Sequence, residues 1–428
     1  MAVGFFDRIR FWINRMQEHL WVKPLLIGVL SIAIVFAAKI ADSASVGHAF
    51  PMISSAALEN LLSIMATSML PIATFAVASM VSAYSSASNN ASPRSFSLVI
   101  SDDISQRALS TFIGAFIFST VGAIATKNSY FHRAGHFVMF VFTLIVFGLV
   151  ILTFVHWVDR IARLGRLGNT ISRVEKVTAA AMQKRRLAPT LGGVQLRSGP
   201  CNGQALFCDK VGYLQRIELP ALQEYGEKND VRIRVGVLPG SFITPNRPVA
   251  HIESTSSELV LSDMQKVIDA FRIGTERLFD DDPRYGLVVL AQIADRALSP
   301  AVNDSGTAID VIGVLSRLFV LWGSETDPDS SQEVKFDRVT VPVLSVQDMF
   351  DDAFTAIERD GSGQIEVALR LQKALSALAS MGDKAMGEAA LQHARKALEL
   401  AVKALSHPED VSKVREQYQR LFDVFGLS

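Results

Sequence analysis

The largest concentration of side chains suited to chemistry lies between Asp280 and Thr307. Three consecutive aspartates, Asp280–Asp282, precede a proline, and a second polar group follows after a helical stretch. The second group consists of Asp295, Arg296, Ser299, Asn303, Asp304 and Thr307. Such groups either cap and hydrogen-bond two helix ends or line a pocket for a small cytosolic ligand or cation. The aspartate spacing matches no calcium loop, and both interpretations stay open.

The pattern around the second group predicts a helix, a tight polar corner and another helix. Pro283 suits the first turn of a helix that runs to about Leu298. Asn303 or Asp304 can cap the next helix, which begins at Ser305–Thr307. The structural interpretation of the corner is therefore a capped helical hairpin at a subunit contact.

A smaller charged cluster is expected at the cytoplasmic surface of a membrane. It consists of Arg94, Asp102, Asp103 and Arg107. An enzyme acting on lipid headgroups could use such residues, but helix capping and membrane topology explain them equally well. The sequence contains no phosphate loop, dinucleotide fingerprint, HExxH motif or nucleophile elbow. An enzyme is therefore disfavoured, and no catalytic residue is assigned.

Composition argues against several other classes of protein. Lysines and arginines number 42, as do aspartates and glutamates, so the formal net charge is zero and gives no argument for a nucleic-acid partner. The two cysteines, Cys201 and Cys208, are too few for a zinc site or a disulfide framework, and we interpret them as reduced thiols. We expect neither a metal nor a cofactor.

Four apolar runs before Asp159 are each long enough to cross about 30 Å of hydrocarbon. They are Val22–Ala38, Leu61–Tyr84, Leu109–Ala125 and Phe137–Val158. The basic segment that precedes the first run lacks the cleavage pattern of a signal peptide. We therefore predict a transmembrane domain at residues 1–158, with the lipid bilayer as its partner.

Basic residues flank these runs unequally, and this asymmetry predicts the topology. One side of the membrane receives Arg8, Arg10, Arg15, Lys23, Arg94, Arg107, Arg160, Arg163, Arg166 and Arg173. The other side receives Lys39, Lys127 and Arg133. Both termini are therefore expected in the cytoplasm, together with everything after Asp159.

The second run carries a stripe of small and hydroxylated side chains. At about 100° per residue, one third of its circumference holds Ser63, Thr67, Thr74, Ala78, Ser82 and Ser85. The opposite face holds Met65, Met69 and Met80. Such a stripe can line a wet pore, or it can let neighbouring helices approach closely. No ionisable residue lies in the interior of the runs, which disfavours an ion-coupled pump.

The polar remainder of the chain is expected to contain three parts. They are a basic amphipathic linker helix at 159–190, a small β domain at 191–260 and a mainly helical domain at 261–428. The Gly212–Tyr213 strand start and the Pro239–Phe242 turn resemble a barrel-sandwich hybrid domain, a resemblance that implies a shape and no cofactor. One further strand is predicted at Arg338–Val343. The predicted fold class is thus an α-helical membrane domain plus a cytoplasmic α+β region that combines a barrel-sandwich-like β domain with a helical C-terminal domain.

Several short motifs occur in this sequence, and their combination in one order identifies a family more specifically than any single motif does. They are Ser92-Pro93-Arg94, Gly212-Tyr213, Pro239-Gly240, RALSPAVND at Arg296–Asp304, and Thr307-Ala308. Together they resemble a bacterial family of predicted membrane proteins, domain of unknown function 2254. The resemblance implies four N-terminal spans and a cytoplasmic motif, and it brings no activity. Ser305 departs from the proline that is common in the family after Asn-Asp, which loosens the turn.

These observations lead to one main hypothesis of function and two alternatives. The main hypothesis is a homo-oligomer in the bacterial inner membrane, a passive channel with the second span near its axis and a cytoplasmic collar or sensor. Four spans are too few to enclose a passage within one subunit, so transport requires oligomerisation. The alternatives are a non-conducting scaffold or sensor and a membrane-surface enzyme.

The predicted topology can be tested with reporter fusions. Fusions after Ser45, Ser97, Lys127 and Ser172 should report outside, inside, outside and inside, because the basic flanks face the cytoplasm. Paired alkaline-phosphatase and fluorescent-protein reporters measure both states at each site. Any other order contradicts the four-span topology.

Overall fold

The computed structural model divides the chain into two compact units, Met1–Thr170 and Ile171–Ser428. The residues that it describes are 22–41, 51–90, 92–95, 103–163, 166–197, 199, 203–254, 264–324, 334–381 and 383–425. Within these ranges, apolar helices are followed by a β region and then by C-terminal helices. This order confirms the coarse fold class that the sequence predicts.

The described part of the first unit is helical. Its elements are α1 (Val22–Ala41), α2 (Ser55–Asn90), a 3-10 turn (Pro93–Ser95), α3 (Asp103–Lys127) and α4 (Arg133–Arg163). Each long helix contains one of the predicted apolar runs. Large apolar side chains such as Leu26, Phe75 and Leu152 are exposed on the outer faces of these helices. Faces of this kind suit contact with lipid, since lipid chains solvate apolar side chains that water does not.

Helix α3 is the centre of packing in the first unit, because it contacts the three other long helices. Small residues make this possible. A Cβ atom added at Gly114 would lie 2.3 Å from Ile27 Cγ2, and Ser31 Oγ donates to the Gly114 carbonyl at 3.1 Å. At Gly122 an added Cβ would lie 3.0 Å from Met139 Cε. Close backbone approach at these points therefore depends on the absence of side chains.

Four described helices contain a segment that is long and apolar enough to cross a membrane. These segments are Ser55–Ala83, Ser105–Lys127, Arg133–Ile161 and Ser305–Gly323. The apolar part of α1, Pro24–Ile40, is shorter. The set therefore differs from the predicted one, since one candidate belongs to the second unit and the first predicted run falls below the others in length.

Two sheets are described in the second unit. Their strands are β1 (Gly193–Gln195), β2 (Gln204–Leu206), β3 (Gly212–Ile217), β4 (Val231–Val235), β5 (Phe242–Ile243), β6 (Ala250–Ser254), β7 (Phe271–Gly274) and β8 (Phe336–Val341). One sheet has the order β1-β8-β4-β6-β2, and the other has the order β5-β3-β7. β8 pairs in parallel with β1 and β4, and the remaining pairs are antiparallel.

The predicted barrel-sandwich shape is not confirmed, because neither sheet closes on itself. The physical reason is the position of β8, which the sequence predicts as an isolated strand within the helical region. β8 instead lies between β1 and β4 and joins β1 to the rest of the larger sheet. The predicted domain limits inside this unit stay a prediction.

Helices cover most of the rest of the second unit. They are α5 (Leu167–Leu187), α6 (Leu219–Asn229), α7 (Gln265–Asp269), α8 (Pro283–Leu298), α9 (Ser305–Gly323), α10 (Val346–Asp360), α11 (Ile365–Ala379), α12 (Lys384–Ala404) and α13 (Pro408–Phe425). Helix α5 corresponds to the predicted linker helix, and its residues from Ile171 onwards belong to this unit.

The apolar helix α9 is packed inside the second unit, where it contacts α8 and α11. Its buried Phe319 packs against Phe350 with the rings tilted and their centroids 4.2 Å apart. Its other face carries Asp310 and Arg317, and Arg317 Nε donates to Glu175 Oε1 at 2.7 Å. The hydropathy of α9 is thus explained by a protein core on one face, while the charges on the other face would be unfavourable in lipid.

A substitution at Gly286 tests how closely α8 lies against α5. A Cβ atom at Gly286 would lie 1.9 Å from Thr178 Oγ1, and Thr178 is buried. Gly286→Ala should therefore destabilise the protein by about 1–3 kcal/mol through overpacking. The measurement is the thermal unfolding of the full-length protein in detergent. Gly168→Ala is the control, because nothing lies within 4 Å of an added Cβ there. Equal unfolding temperatures for both variants would contradict the close packing.

Candidate functional site

The polar corner between α8 and α9 is held by the cap of α9. Asp304 Oδ1 accepts a hydrogen bond from the Thr307 amide at 3.1 Å, and Asp304 Oδ2 accepts one from Thr307 Oγ1 at 2.6 Å. These bonds lower the pKa of Asp304, the hydroxyl of Thr307 being the largest cause. Of the two candidate caps, Asn303 and Asp304, it is Asp304 that forms the N-cap of α9.

The backbone of the corner turns tightly just before this cap. Asn303 adopts a left-handed conformation with φ of 50°, and its amide donates to the Ser299 carbonyl at 2.8 Å. Ser299 Oγ donates to the Arg296 carbonyl at 2.7 Å, while the Arg296 side chain is exposed. Gln364 Nε2 donates to Asn303 Oδ1 at 2.9 Å and so joins the corner to the start of α11. The corner is thus a hydrogen-bonded turn between capped helices.

Asp295 lies one turn before the corner and meets the end of α10. Its carboxyl group is hydrogen-bonded to that of Asp360, and Arg359 Nη2 lies 3.4 Å from Asp295 Oδ1. Arg359 also donates to both oxygens of Asp360, at 2.9 and 2.6 Å. The hydrogen bond to Asp360, then partial burial and the charge of Asp360, raise the pKa of Asp295 to about 6. The pKa of Asp360 is lowered, chiefly by Arg359.

This pair of carboxyl groups resembles an acid–base site only in part. A carboxylic acid that keeps its proton close to neutral pH can serve as a general acid. Here its partners are the side chains of Asp360 and Arg359. Across the ranges that the structure describes, no group of three or more His, Cys, Asp or Glu side chains could hold a metal ion. The geometry therefore supports a clamp between the ends of α8 and α10.

Two of the three consecutive aspartates before α8, Asp281 and Asp282, have separate roles. Asp282 is buried, caps α8 at the Tyr285 amide (3.2 Å) and accepts two hydrogen bonds from Arg277, at 2.7 and 3.0 Å. Burial raises the pKa of Asp282, and Arg277 opposes this shift. Asp281 forms an ion pair with Lys184. Asp281 and Asp282 are thus neutralised by cationic side chains of the protein, which argues against the predicted role as cation ligands.

A second polar cluster is enclosed between α10 and α12. Glu358 and His393 are both buried, and His393 Nδ1 is hydrogen-bonded to Glu358 Oε1. Lys396 Nζ lies 3.1 Å from Glu358 Oε2, and Asp351 Oδ1 lies 3.2 Å from His393 Nε2. The His393 ring also packs beside Phe350, with a centroid distance of 5.9 Å. The cluster ties two core helices together through paired charges.

The structure brings the predicted stripe of α2 to one face of the first unit. All six stripe residues are exposed. On the opposite face, Met65, Met69 and Met80 are buried. The helix continues through Pro71, which is itself exposed. The six stripe residues therefore lie on the exposed side of α2 together with apolar residues such as Ile64 and Val81, and their role in lining a pore stays a prediction.

The predicted membrane-surface cluster is described only in part. Asp102 lies outside the described residues, and Asp103 begins α3. Arg94 and Arg107 are exposed. Ser92 Oγ accepts a hydrogen bond from the Arg94 amide at 3.3 Å, so the Ser-Pro-Arg motif forms a local turn.

Sequence reasoning missed the residues that complete the corner from elsewhere in the chain. Arg359, Asp360 and Gln364 come from the end of α10 and the start of α11. The polar run ERDGSGQ at Glu358–Gln364, which interrupts two apolar-striped helices, is the signal that could have found them. It also missed Arg277 and Arg284, which flank the three aspartates and bind carboxylates.

Comparison with known proteins agrees with the motifs at Ser92–Arg94 and Arg296–Asp304. Residues 17–377 match the family described as Predicted membrane protein (DUF2254), and the chain belongs to that family. Uncharacterized proteins of Mycobacterium tuberculosis and Mycobacterium bovis are 30% identical over 190 residues, which cover 42% of this chain and 36% of theirs. The matched part thus spans little more than a third of these relatives. No solved structure matches the chain.

The shared proton at Asp295 predicts a pH-dependent stability. Between the ordinary carboxyl pKa of 3.8 and about 6, folded Asp295 keeps a proton that the unfolded chain has released. The contribution of Asp295 to stability is therefore greatest below pH 4 and falls as the pH rises through about 6. Asp295→Asn keeps a hydrogen-bond donor and removes this titration. Its unfolding temperature relative to the wild type should thus be higher at pH 7 than at pH 4.

The control for this experiment is Asp209→Asn, at an exposed carboxylate elsewhere in the second unit. Thermal unfolding of the full-length protein is measured for all three proteins at pH 4, 5.5 and 7. A difference between Asp295→Asn and the wild type that stays constant with pH would contradict the shared proton.

Proposed function

We propose that this protein is a homo-oligomeric passive channel in which the α2 helices surround the axis. One observation carries the proposal. The six small and hydroxylated stripe residues are all exposed on the first unit, whereas the methionine face of the same helix is buried. The exposed side of α2 also carries apolar residues such as Ile64, Leu70 and Val81, so a neighbouring copy could bury them while the hydroxyl groups between them meet around an axis.

In a membrane, the hydroxyl groups of the α2 stripe need a polar partner. Hydroxyl groups are poorly solvated by lipid, whereas water or a neighbouring helix can satisfy them. The other outward faces of the first unit carry large apolar residues such as Leu26, Phe36 and Leu152. The α2 stripe thus adds hydroxyl groups to a surface that is mostly apolar, including exposed residues of α2 such as Ile64 and Val81. Since four helices do not enclose a passage within one subunit, a pore at this band requires several copies.

The basic residues that flank the apolar runs support a location in the bacterial inner membrane with both termini in the cytoplasm. On this orientation the second unit is cytoplasmic and acts as a collar or a sensor. The polar corner and the pockets of that unit then face cytosolic solutes.

A non-conducting scaffold is the second candidate, and a specific observation favours it. Thr67 Oγ1 donates to the Ser63 carbonyl at 2.9 Å, and Thr74 Oγ1 donates to the Leu70 carbonyl at 3.0 Å. Ser68 Oγ donates to the Ile64 carbonyl at 2.7 Å. Hydroxyls bonded to their own helix do not need water, so the same face can pack tightly against a neighbouring subunit.

Cysteine accessibility separates the two candidates. In a background without Cys201 and Cys208, single cysteines replace Thr67, Thr74 and Ser82 on the stripe, and Met65, Met69 and Met80 provide the matched controls. A channel predicts that a water-soluble, charged thiol reagent modifies the stripe cysteines and not the methionine-face cysteines. It also predicts that modification changes the current of the protein reconstituted in planar bilayers.

The outcomes are distinct. Stripe cysteines that crosslink between subunits, resist the charged reagent and carry no current would support the scaffold and remove the channel. Stripe cysteines that neither crosslink nor react would overturn the oligomer contact itself, and with it both candidates.

A further inference from the structure

A polar pocket of about 290 Å³ lies in the second unit, where the turn at Pro239–Ser241 approaches the start of α10. Three arginines from separate segments line it, namely Arg247, Arg277 and Arg284. Asp348 lines the same pocket. We call this the arginine pocket. The predicted channel and the predicted polar corner make no use of it.

Arg277 is held in the wall by a buried carboxylate. Its Nε and Nη2 atoms donate to Asp282 at 2.7 and 3.0 Å, and Asp282 is 3% exposed. The guanidinium also lies over the ring of Tyr285, 5.2 Å from its centroid. A guanidinium has five N–H donors, so these two bonds leave others free to bind a ligand. Arg277 is therefore fixed in orientation without being saturated.

Arg284 is oriented in a similar way from the first turn of α8. Its Nε donates to Asp352 at 2.6 Å, and its Nη1 donates to Asp348 at 2.7 Å. Burial is the largest single effect and lowers the pKa of Arg284, but the hydrogen bond to Asp352 and the charges of Asp352, Asp348 and Asp282 together outweigh it, so that the pKa is raised. Arg284 thus stays charged, and its Nη2 donors are not used by these contacts.

The turn at the mouth of the pocket is locked against the same carboxylate. Gly240 has a φ of +95°, and a Cβ atom there would lie 2.3 Å from Asp282 Oδ2. Glycine is therefore required both by the backbone conformation and by the approach of Asp282. The turn, Asp282 and Arg277 form one rigid wall, which means that the pocket is built before any ligand arrives.

Arg247 supplies the charge that the protein leaves uncompensated. It is exposed, and within the described ranges its side chain forms no hydrogen bond or ion pair. Three carboxylates, Asp282, Asp348 and Asp352, equal the three arginines in number. Their oxygens accept hydrogen bonds from Arg277 and Arg284, however, and none of these bonds involves Arg247. The lining of the pocket therefore combines two oriented guanidiniums, Arg277 and Arg284, with the unpaired guanidinium of Arg247.

We propose that the arginine pocket binds the phosphate group of a small cytosolic metabolite or of a lipid headgroup. A tetrahedral oxyanion accepts hydrogen bonds from several directions, which suits three guanidiniums on separate segments. A pocket of about 290 Å³ has room for a phosphate group and a small substituent. The proposal adds a ligand site to the second unit and does not depend on the channel.

Titration calorimetry with inorganic phosphate tests the site on the full-length protein in phosphatidylcholine nanodiscs. The test variant is Arg247→Gln, which removes a guanidinium that holds no other part of the fold. The matched control is Arg415→Gln, at an exposed arginine of α13 in the same unit. Both variants lose one positive charge. Phosphate should bind the wild type and the control alike, and it should bind Arg247→Gln at least about tenfold more weakly, as expected when a charged hydrogen bond is lost.

Nanodiscs that contain phosphatidic acid distinguish the two sources of phosphate. If phosphatidic acid lowers the affinity of the wild type for inorganic phosphate but does not change that of Arg247→Gln, the lipid headgroup competes for the site, and the natural ligand is assigned to the lipid. Unchanged affinity assigns it to a soluble phosphate compound. Three results would overturn the proposal: no saturable binding to the wild type, equal binding to Arg247→Gln, or an equal loss in Arg415→Gln.

Discussion

The buried carboxylate of Asp282 is the interaction on which much of the second unit depends. It caps α8, receives the fork of Arg277 and lies against Gly240. A buried carboxylate is unfavourable unless its oxygens are paired, and here a guanidinium and a backbone amide pair them. Because these partners come from a β turn, a loop and a helix, one side chain connects the β region to the helical region. The contacts of Asp282 thus fix the position of Arg277 in the arginine pocket and the first turn of α8.

The first unit obeys a different constraint, since its outer surface is apolar. In lipid, apolar side chains gain little free energy by moving from the surface of a helix bundle to its interior, so the hydrophobic effect does not drive the helices together. Packing then relies on close approach, which Gly114 and Gly122 permit on α3. The same constraint makes the exposed polar stripe of α2 unusual on this surface, and it is why that stripe carries the proposal of an oligomer around α2.

The local elements were largely accessible to sequence reasoning. Apolar runs predicted the helices of the first unit, the Asn-Asp pair predicted the capped corner, and the RVTVPV segment predicted β8 as a strand. Membership of the family followed from short motifs such as Arg296–Asp304. These features depend on residues that are close in sequence, where side-chain period and capping chemistry leave few alternatives.

The tertiary structure alone decided which distant residues meet. Nothing in the sequence near β8 indicates that it pairs with β1 and β4, and that pairing brings a strand from the helical region into the larger sheet. Likewise, the three aspartates read as a cation site in isolation, but Arg277 and Lys184 neutralise two of them. The sequence by itself therefore determined the membrane helices, the polar corner and the family. Strand order and charge partners depend on contacts across many residues, whose free energies no local pattern records.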